Sequence, residues 1–255
     1  MEEALALGVE GIATGDRLGM SRVAGDQLRC QAAWRLVRLG RYAEAERIAH
    51  EALDRATTPF NVAASHWLAG RLATERGDLG LTEDHLEQAW SMMQSTGGFQ
   101  LIGPATAARV LLEIDRGELE RARERAREGV ERGAAGEGNL LYNAEVFWLA
   151  VRVEAELGER ARVRGDAGAL EECARIASAA LAVLDGAISE LTGDGPPPEA
   201  AAFRALAEAE LTRLRGERTA EPWLAAAHRF QALGQLPAIG YVEFRAAEAL
   251  ARRSS

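Results

Sequence analysis

Lysine is absent from this 255-residue chain, and all 30 of its basic residues are arginine. The absence excludes the sites that need a lysine amine, namely a P-loop, a Schiff base or a kinase-type nucleotide contact. The net charge is −9. Because contact with a nucleic-acid backbone needs a basic stripe, this charge balance argues against direct binding to DNA or RNA.

Cysteine is scarce as well, since only Cys30 and Cys173 are present. They form neither a CxxC pair nor a disulfide framework, which is typical of a reducing compartment. The N-terminal residues 1–3 carry no cationic region of a signal peptide. No uninterrupted apolar run reaches the roughly 18 residues that a membrane span requires. We therefore expect a cytoplasmic protein that makes no use of a membrane.

Catalytic and metal-binding motifs are also lacking. The histidines are single and scattered, and no HExxH motif or clustered Cys/His spacing occurs. No GxSxG elbow is present, and the many carboxylates single out no acid/base pair. The sequence therefore predicts no enzyme, no metal and no cofactor in this chain. The four histidines are His50, His66, His85 and His228.

What the chain does contain is a recurring glycine turn between helical stretches. Successive turns are 37, 40, 48 and 51 residues apart. Recurrence on this scale is typical of stacked two-helix units. Aromatic residues make up only 5% of the chain, and no apolar alternation predicts a strand. We expect an all-α chain that forms a right-handed α-α superhelix of about six hairpins. The turn glycines are Gly40, Gly77, Gly117, Gly165 and Gly216.

The domain organisation follows from the breaks in the helical pattern. The strongest break is the Gly/Pro-rich stretch at about 192–200. It is too short to separate two independent domains. We therefore predict a single solenoid domain over residues 1–255.

Residues 39–53 resemble the second half of a tetratricopeptide repeat. They combine a glycine turn at Gly40, an aromatic at Tyr42, a Glu-Ala pair and a later Ala-Leu. Parts of the template recur within residues 70–89 and 117–122. The periods exceed 34 residues and the closing proline is missing. The resemblance implies tetratricopeptide-like units that depart from the consensus.

The C-terminal part carries a more specific order of motifs. A tryptophan helix around Trp223 precedes a Leu-Gly-x-x-Pro turn at residues 233–237, and a Tyr-x-x-Phe-Arg-x-Ala-Glu-Ala helix begins at Tyr241. This order is similar to the end of the helical-repeat region in large ATP-binding LuxR-type transcriptional regulators of the maltose-activator type. Residues 3–5 and 32–41 resemble the start of that region.

The resemblance implies a sensing role within a bacterial regulator. In that family a nucleotide-binding module precedes the repeats and a helix-turn-helix domain follows them. We expect ATP only on such a neighbouring domain, which this chain lacks, and nucleic acid only through an absent helix-turn-helix domain. A small-molecule inducer, or a protein or peptide, is the expected partner of the repeats.

A W-x-x-x-R pattern occurs three times on helices that begin a hairpin. An i,i+4 spacing places each tryptophan and arginine on one helix face. Trp67 and Trp148 each precede a glycine, Gly77 or Gly158, by ten residues. We predict that both glycines are turns, so the two tryptophans are expected at equivalent positions of their hairpins. The pairs are Trp34 with Arg38, Trp67 with Arg71, and Trp148 with Arg152.

These pairs have two interpretations. A tryptophan platform beside an arginine suits a sugar, an anion or an acidic peptide on the concave face of a solenoid. Alternatively, the indoles pack between helices and the arginines extend from the same face to solvent. The first interpretation predicts a sensor with a deep pocket among these helices. The second interpretation predicts a scaffold with an open groove, which binds another protein or forms a homo-oligomer.

Overall fold

The computed structural model describes residues 2–20, 25–96, 99–135, 140–191 and 195–253. Within these ranges every regular element is a helix, which confirms the prediction of an all-α chain. The first six helices are α1 (Glu2–Arg17), α2 (Asp26–Arg38), α3 (Tyr42–Arg55), α4 (Pro59–Glu75), α5 (Leu79–Thr96) and α6 (Phe99–Asp115). The next six are α7 (Leu119–Ala134), α8 (Leu140–Arg164), α9 (Ala167–Ser189), α10 (Pro198–Leu214), α11 (Glu221–Leu233) and α12 (Leu236–Arg253).

The chain divides into two compact units. Unit 1 comprises Met1–Leu112 together with Gly234–Pro237, and unit 2 comprises Glu113–Leu233 together with Ala238–Ser255. The first boundary therefore lies within α6. The Gly/Pro-rich stretch lies inside unit 2; it follows α9, and its last residues form the start of α10. Its residues 192–194 are outside the described ranges. The single-domain organisation stays a prediction.

The predicted glycine turns are present between successive helices. All five glycines have φ between +69° and +77°, a left-handed conformation that glycine adopts without steric cost. At the end of α2 the Gly40 N–H donates to the Val37 carbonyl, and the Arg41 N–H donates to the Leu36 carbonyl, each at 2.9 Å. These are the two hydrogen bonds of a Schellman motif, and they stop the helix where the sequence places the glycine.

Helices that follow one another in unit 1 pack together from α1 through α5, and α2 also packs on α4. Alanine occupies many of the contact positions, and Ala32, Ala33 and Ala45 are fully buried. Because the alanine side chain is small, the helix axes approach closely along this core. The α2–α4 contact brings the first two W-x-x-x-R helices side by side.

In unit 2, α8 is the central helix and packs on α7, α9 and α10. It continues without a turn through Gly158 to Arg164, where Gly165 ends it. The prediction of a turn at Gly158 is therefore wrong. A Cβ at this position would lie 2.1 Å from Leu214 Cδ1 of α10. The glycine is present because two helices approach each other there, and the equivalence of Trp67 and Trp148 based on turn spacing does not hold.

No helix among the described residues is long and apolar enough to cross a membrane.

Candidate functional site

The six residues of the W-x-x-x-R pattern form two clusters, one in each unit. The unit 1 cluster contains Trp34 and Arg38 of α2 with Trp67 and Arg71 of α4. The unit 2 cluster contains Trp148 and Arg152 of α8, joined by Tyr241 of α12.

The two indoles of the unit 1 cluster contact each other edge to face. Their ring centroids lie 4.9 Å apart with an interplanar angle of 60°. Arg71 Cζ is 5.2 Å from the centroid of Trp34, and Arg38 Cζ is 6.0 Å from the same ring. Both arginines are therefore cation–π partners of one tryptophan, and α4 is attached to α2 through it.

Burial divides the unit 1 cluster into an inner and an outer part. Trp67 and Arg71 are each only 7% exposed, whereas Trp34 and Arg38 are partly exposed. No acceptor among the described residues lies within hydrogen-bond distance of Trp67 Nε1. The outer part, Trp34 with Arg38, is the part of this cluster that a ligand can reach.

A tyrosine–glutamate pair lies beside the unit 1 cluster. The Tyr42 hydroxyl donates to Glu75 Oε2 at 3.2 Å, and Arg71 lies 4.0 Å from the other oxygen of Glu75. Burial and the negative charge of Glu75 raise the pKa of Tyr42 to about 12. Tyr42 therefore remains a neutral donor at physiological pH.

The unit 2 cluster is built around stacked rings. Trp148 is 7% exposed; its ring lies 5.8 Å from Phe203 at 23° and 5.7 Å from Tyr241 at 62°. Arg152 Cζ is 4.5 Å from the centroid of Tyr241 and 5.8 Å from that of Trp148. The guanidinium is thus held by two aromatic rings from different helices.

A buried ionic network lies next to this cluster. Glu210 is fully buried, accepts a hydrogen bond from the Tyr241 hydroxyl, and accepts another from Arg213 Nε at 2.8 Å. Arg213 also donates to Glu159 at 2.7 Å and to Glu156 at 3.2 Å. Burial opposes the charge on Glu210, but the nearby arginines, with Arg213 foremost, hold the pKa of Glu210 below its ordinary value. The carboxylate is therefore ionised inside the unit.

Two donors of the unit 2 cluster have no acceptor among the described residues. They are Trp148 Nε1 and Arg152 Nε, and both atoms are buried. Leaving a buried donor unsatisfied costs about 1–3 kcal/mol. Such groups in a folded protein call for an explanation, and a bound acceptor is one.

The two units share a common arrangement that the sequence did not indicate. In each, an arginine of the W-x-x-x-R pattern lies over an aromatic ring of another helix, and a nearby tyrosine donates to a glutamate. The tyrosine and the glutamate are 33 residues apart in unit 1 and 31 residues apart in unit 2. No local spacing connects them. The only signals were the two tyrosines, Tyr42 in the tetratricopeptide-like template and Tyr241 in the C-terminal motif.

A cleft of about 110 Å³ lies between α3, α4 and α5 of unit 1. Its floor is apolar, its rim carries two histidines, and no member of the unit 1 cluster lines it. Its lining residues are Glu46, Ala49, His50, Leu53, Ala69, Leu72, Ala73, Arg76, Asp78, Leu81 and His85.

His85, which lines this cleft, contacts a second histidine, His66, which does not line it. His66 Nδ1 lies 3.0 Å from His85 Nδ1, and the ring centroids are 5.2 Å apart. With the Nδ1 atoms 3.0 Å apart, ring centroids 5.2 Å apart are nearly as far from each other as they can be, so the two Nδ1 atoms point toward each other. One Nδ1–H therefore donates a hydrogen bond to the other Nδ1. Burial lowers the pKa of both rings. Among the described residues, no group of three or more His, Cys, Asp or Glu side chains is placed to hold a metal ion.

The described residues form an all-helical fold, and comparison with known proteins found a solved structure of similar fold. No family model matches the chain, and no curated protein matches it. The crystal structure of BtubC (BKLC) from P. vanneervenii is similar over 100% of this chain and 92% of that one, with a TM-score of 0.52 and 15% identity. At this identity the likeness concerns the fold alone. The resemblance to LuxR-type regulators stays a prediction.

Proposed function

We propose that this chain is a non-catalytic helical-repeat module that senses a ligand or a partner within a bacterial transcriptional regulator. The helix contacts within each unit support a tetratricopeptide-like solenoid. In unit 1, α2 packs on α4 beyond the intervening α3, and in unit 2, α8 packs on α10 beyond α9. Contacts of this kind between alternate helices are what stacking of successive hairpins produces.

The observation that carries the proposal is the pairing of arginine with aromatic rings in both units. Arg71 lies over Trp34 and Arg152 lies over Tyr241, each from a different helix. A guanidinium held over a ring is oriented in advance, which lowers the entropy lost on binding a ligand. Because these arginines and rings also form contacts between helices, a ligand bound to them would influence how the helices of the unit pack.

A sensor also needs two states that differ in affinity for the ligand. A ligand at Arg38 would act on the α2–α4 contact through Trp34, and a ligand at Arg152 would act on the α8–α12 contact through Tyr241. In a LuxR-type regulator this change in helix arrangement would alter the activity of a neighbouring ATP-binding module. That context rests on the order of motifs from Trp223 to Tyr241.

A thermal-shift screen tests the proposal. Wild-type protein is heated with sugars, nucleotides, amino acids and anionic metabolites beside the R38Q and R152Q variants. A ligand that binds the native state raises the melting temperature by mass action. We expect a saturable rise with at least one compound, and a smaller rise at the same concentration in R38Q or R152Q. No rise with any compound, or equal rises in all three proteins, would overturn the proposal.

A second candidate function is self-association through exposed apolar side chains. On the first helix and the turn after it, Leu7 is 64% and Leu18 is 68% exposed. Their separation of 11 residues, about three helical turns, places them on the same side. Sedimentation velocity over a concentration series, with the variant L7E/L18E as comparison, tests this function. A monomer at every concentration would exclude it.

A further inference from the structure

We infer that Trp148 and Arg152 recognise an oxyanion, a carboxylate or a phosphate, on the ligand that unit 2 binds. The inference rests on the proposed sensing function and names the chemistry of its ligand. It is carried by the donors, the charges and the aromatic contacts of the unit 2 cluster.

The first argument concerns hydrogen-bond donors. Trp148 Nε1 and Arg152 Nε are buried donors on one face of α8, four residues apart, and neither meets an acceptor among the described residues. Trp148 is more than nine-tenths buried, so bulk water does not solvate its indole N–H. An oxygen that accepts from both groups would satisfy them together.

The second argument concerns the absence of acceptors in the same place. Both oxygens of Glu210 are used, one by Tyr241 and one by Arg213. The Tyr241 oxygen in turn accepts from Arg245 Nε at 3.2 Å. The acceptors of the cluster therefore already have partners, whereas two of its donors do not. A sugar hydroxyl also has a hydrogen to donate, whereas a carboxylate or phosphate oxygen only accepts.

The third argument concerns charge. Arg213 and Arg245 are engaged by carboxylates, the former by Glu210, Glu156 and Glu159 and the latter by Glu156 and Glu248. Among the described residues, Arg152 makes no such ion pair, although its charge acts on Glu210 and helps to lower the pKa of that group. Arg152 is thus the arginine of this network that no carboxylate among the described residues contacts directly.

The fourth argument concerns access and orientation. Arg152 is partly exposed, while Trp148 is buried beneath it, so an anion approaches from the Arg152 side. Arg152 Cζ lies over the Tyr241 ring, and the N–H groups of a guanidinium, which lie in its plane, are the groups that bind an oxyanion. The unit 1 cluster differs, because Arg71 lies 4.0 Å from Glu75 and a carboxylate of the chain is already beside it.

Indole N–H signals in a ¹⁵N-correlated NMR spectrum test the inference. The whole chain is titrated with sodium acetate and, separately, with sodium phosphate, against sodium chloride at matched ionic strength. The Trp148 signal is assigned with W148F and followed in wild type, R152Q and the control R164Q, which removes an exposed charge from the end of the same helix.

We expect the Trp148 N–H to shift downfield and to saturate with one of the two anions, but not with chloride. The R152Q substitution should weaken that affinity about tenfold, since a hydrogen bond to a charged group is lost. R164Q should behave as wild type. The anion that saturates the signal distinguishes a carboxylate ligand from a phosphate ligand. Unchanged signals of the other tryptophans show that each variant is folded.

A Trp148 signal that neither anion moves, or a shift that persists unchanged in R152Q, would overturn the inference. The proposed function is tested separately by the thermal-shift screen. An uncharged compound that stabilises the wild type and needs Arg152 would leave the sensing proposal standing and contradict the oxyanion. Anion binding at Trp148 without stabilisation by any compound of the screen would support the site and contradict the sensor.

Discussion

The guanidinium of Arg71 lies over the indole of Trp34 on α2, 5.2 Å from the ring centroid. Its spacing from Trp67 on its own helix predicted a partnership within that helix, yet Trp67 instead contacts Trp34 edge to face. The three side chains therefore connect α2 with α4. This connection makes the unit 1 cluster a structural element whether or not a ligand binds there.

Replacing Arg71 by lysine should destabilise the protein, although the charge is kept. Lysine has no planar group to stack on Trp34, so we expect a loss of about 1–2 kcal/mol, the size of a partly desolvated cation–π contact. Urea unfolding followed by circular dichroism measures the change. The exposed Arg164, replaced by lysine in the same way, should change the free energy of unfolding by less than about 0.5 kcal/mol. Equal effects of the two substitutions would show that the contact between Arg71 and Trp34 does not stabilise the protein.

The buried network of unit 2 should be sensitive to the loss of one partner. Arg213→Ala leaves the fully buried carboxylate of Glu210 without its closest cation, and we expect a cost of about 3–5 kcal/mol. The double variant E210L/R213M removes both charges and should recover much of this loss. Chemical denaturation of the three proteins measures both effects. A double variant no more stable than R213A would contradict this account.

The His66–His85 pair predicts a loss of stability at mildly acidic pH. Burial lowers the pKa of both rings in the folded protein, so the unfolded chain binds more protons below the ordinary histidine pKa of about 6.5. Stability is therefore full above that pH and falls as the pH decreases through the lowered values. Protonating both rings also breaks the Nδ1–Nδ1 hydrogen bond.

The neighbouring charges modify this dependence without reversing it. Asp84 raises the pKa of His85, while His50 lowers it. Urea midpoints at pH 7.5 and pH 5.5 should differ more in wild type than in H66Q, and the exposed His228→Gln should leave the wild-type difference unchanged. A pH dependence that H66Q does not reduce would exclude the pair as its source.

Two helical glycines should respond in opposite ways to the same substitution. Gly158→Ala places a Cβ where Leu214 Cδ1 lies 2.1 Å away and Leu170 Cδ1 3.3 Å away, and overpacking should cost about 1–3 kcal/mol. Gly186→Ala meets no heavy atom within 4 Å in α9, and the better helix propensity should add about 0.5–1 kcal/mol. Thermal melts compare the two variants. Stabilisation by G158A would show that α8 and α10 do not approach so closely.

The turn glycines could be predicted from the sequence because the signal is local. A left-handed glycine and its two Schellman hydrogen bonds involve six consecutive residues, so Gly40 and Gly165 are recognisable without a structure. Gly158 has the same identity but a different cause. A side chain at position 158 would clash with Leu214, which is far away in the chain. No local pattern distinguishes a glycine that ends a helix from one that lets a neighbouring helix approach.

The candidate site could be predicted only in part for the same reason. The W-x-x-x-R spacing correctly places Arg152 beside Trp148 on one helix. The partners that decide the chemistry, Tyr241 and Glu210, are on other helices and carry no motif that links them to Trp148. Burial of the indole and the unsatisfied N–H are products of tertiary packing, which periodicity does not report.

Isothermal titration calorimetry of the compound with the largest thermal shift tests the sensing proposal most directly. Wild type, R38Q, R152Q and R164Q are titrated under one buffer condition. The account predicts saturable binding that weakens about tenfold in R38Q or R152Q, a loss of about 1.4 kcal/mol, while R164Q retains the wild-type affinity. Equal affinities in all four proteins would contradict the account and leave the tryptophan–arginine pairs as packing between helices.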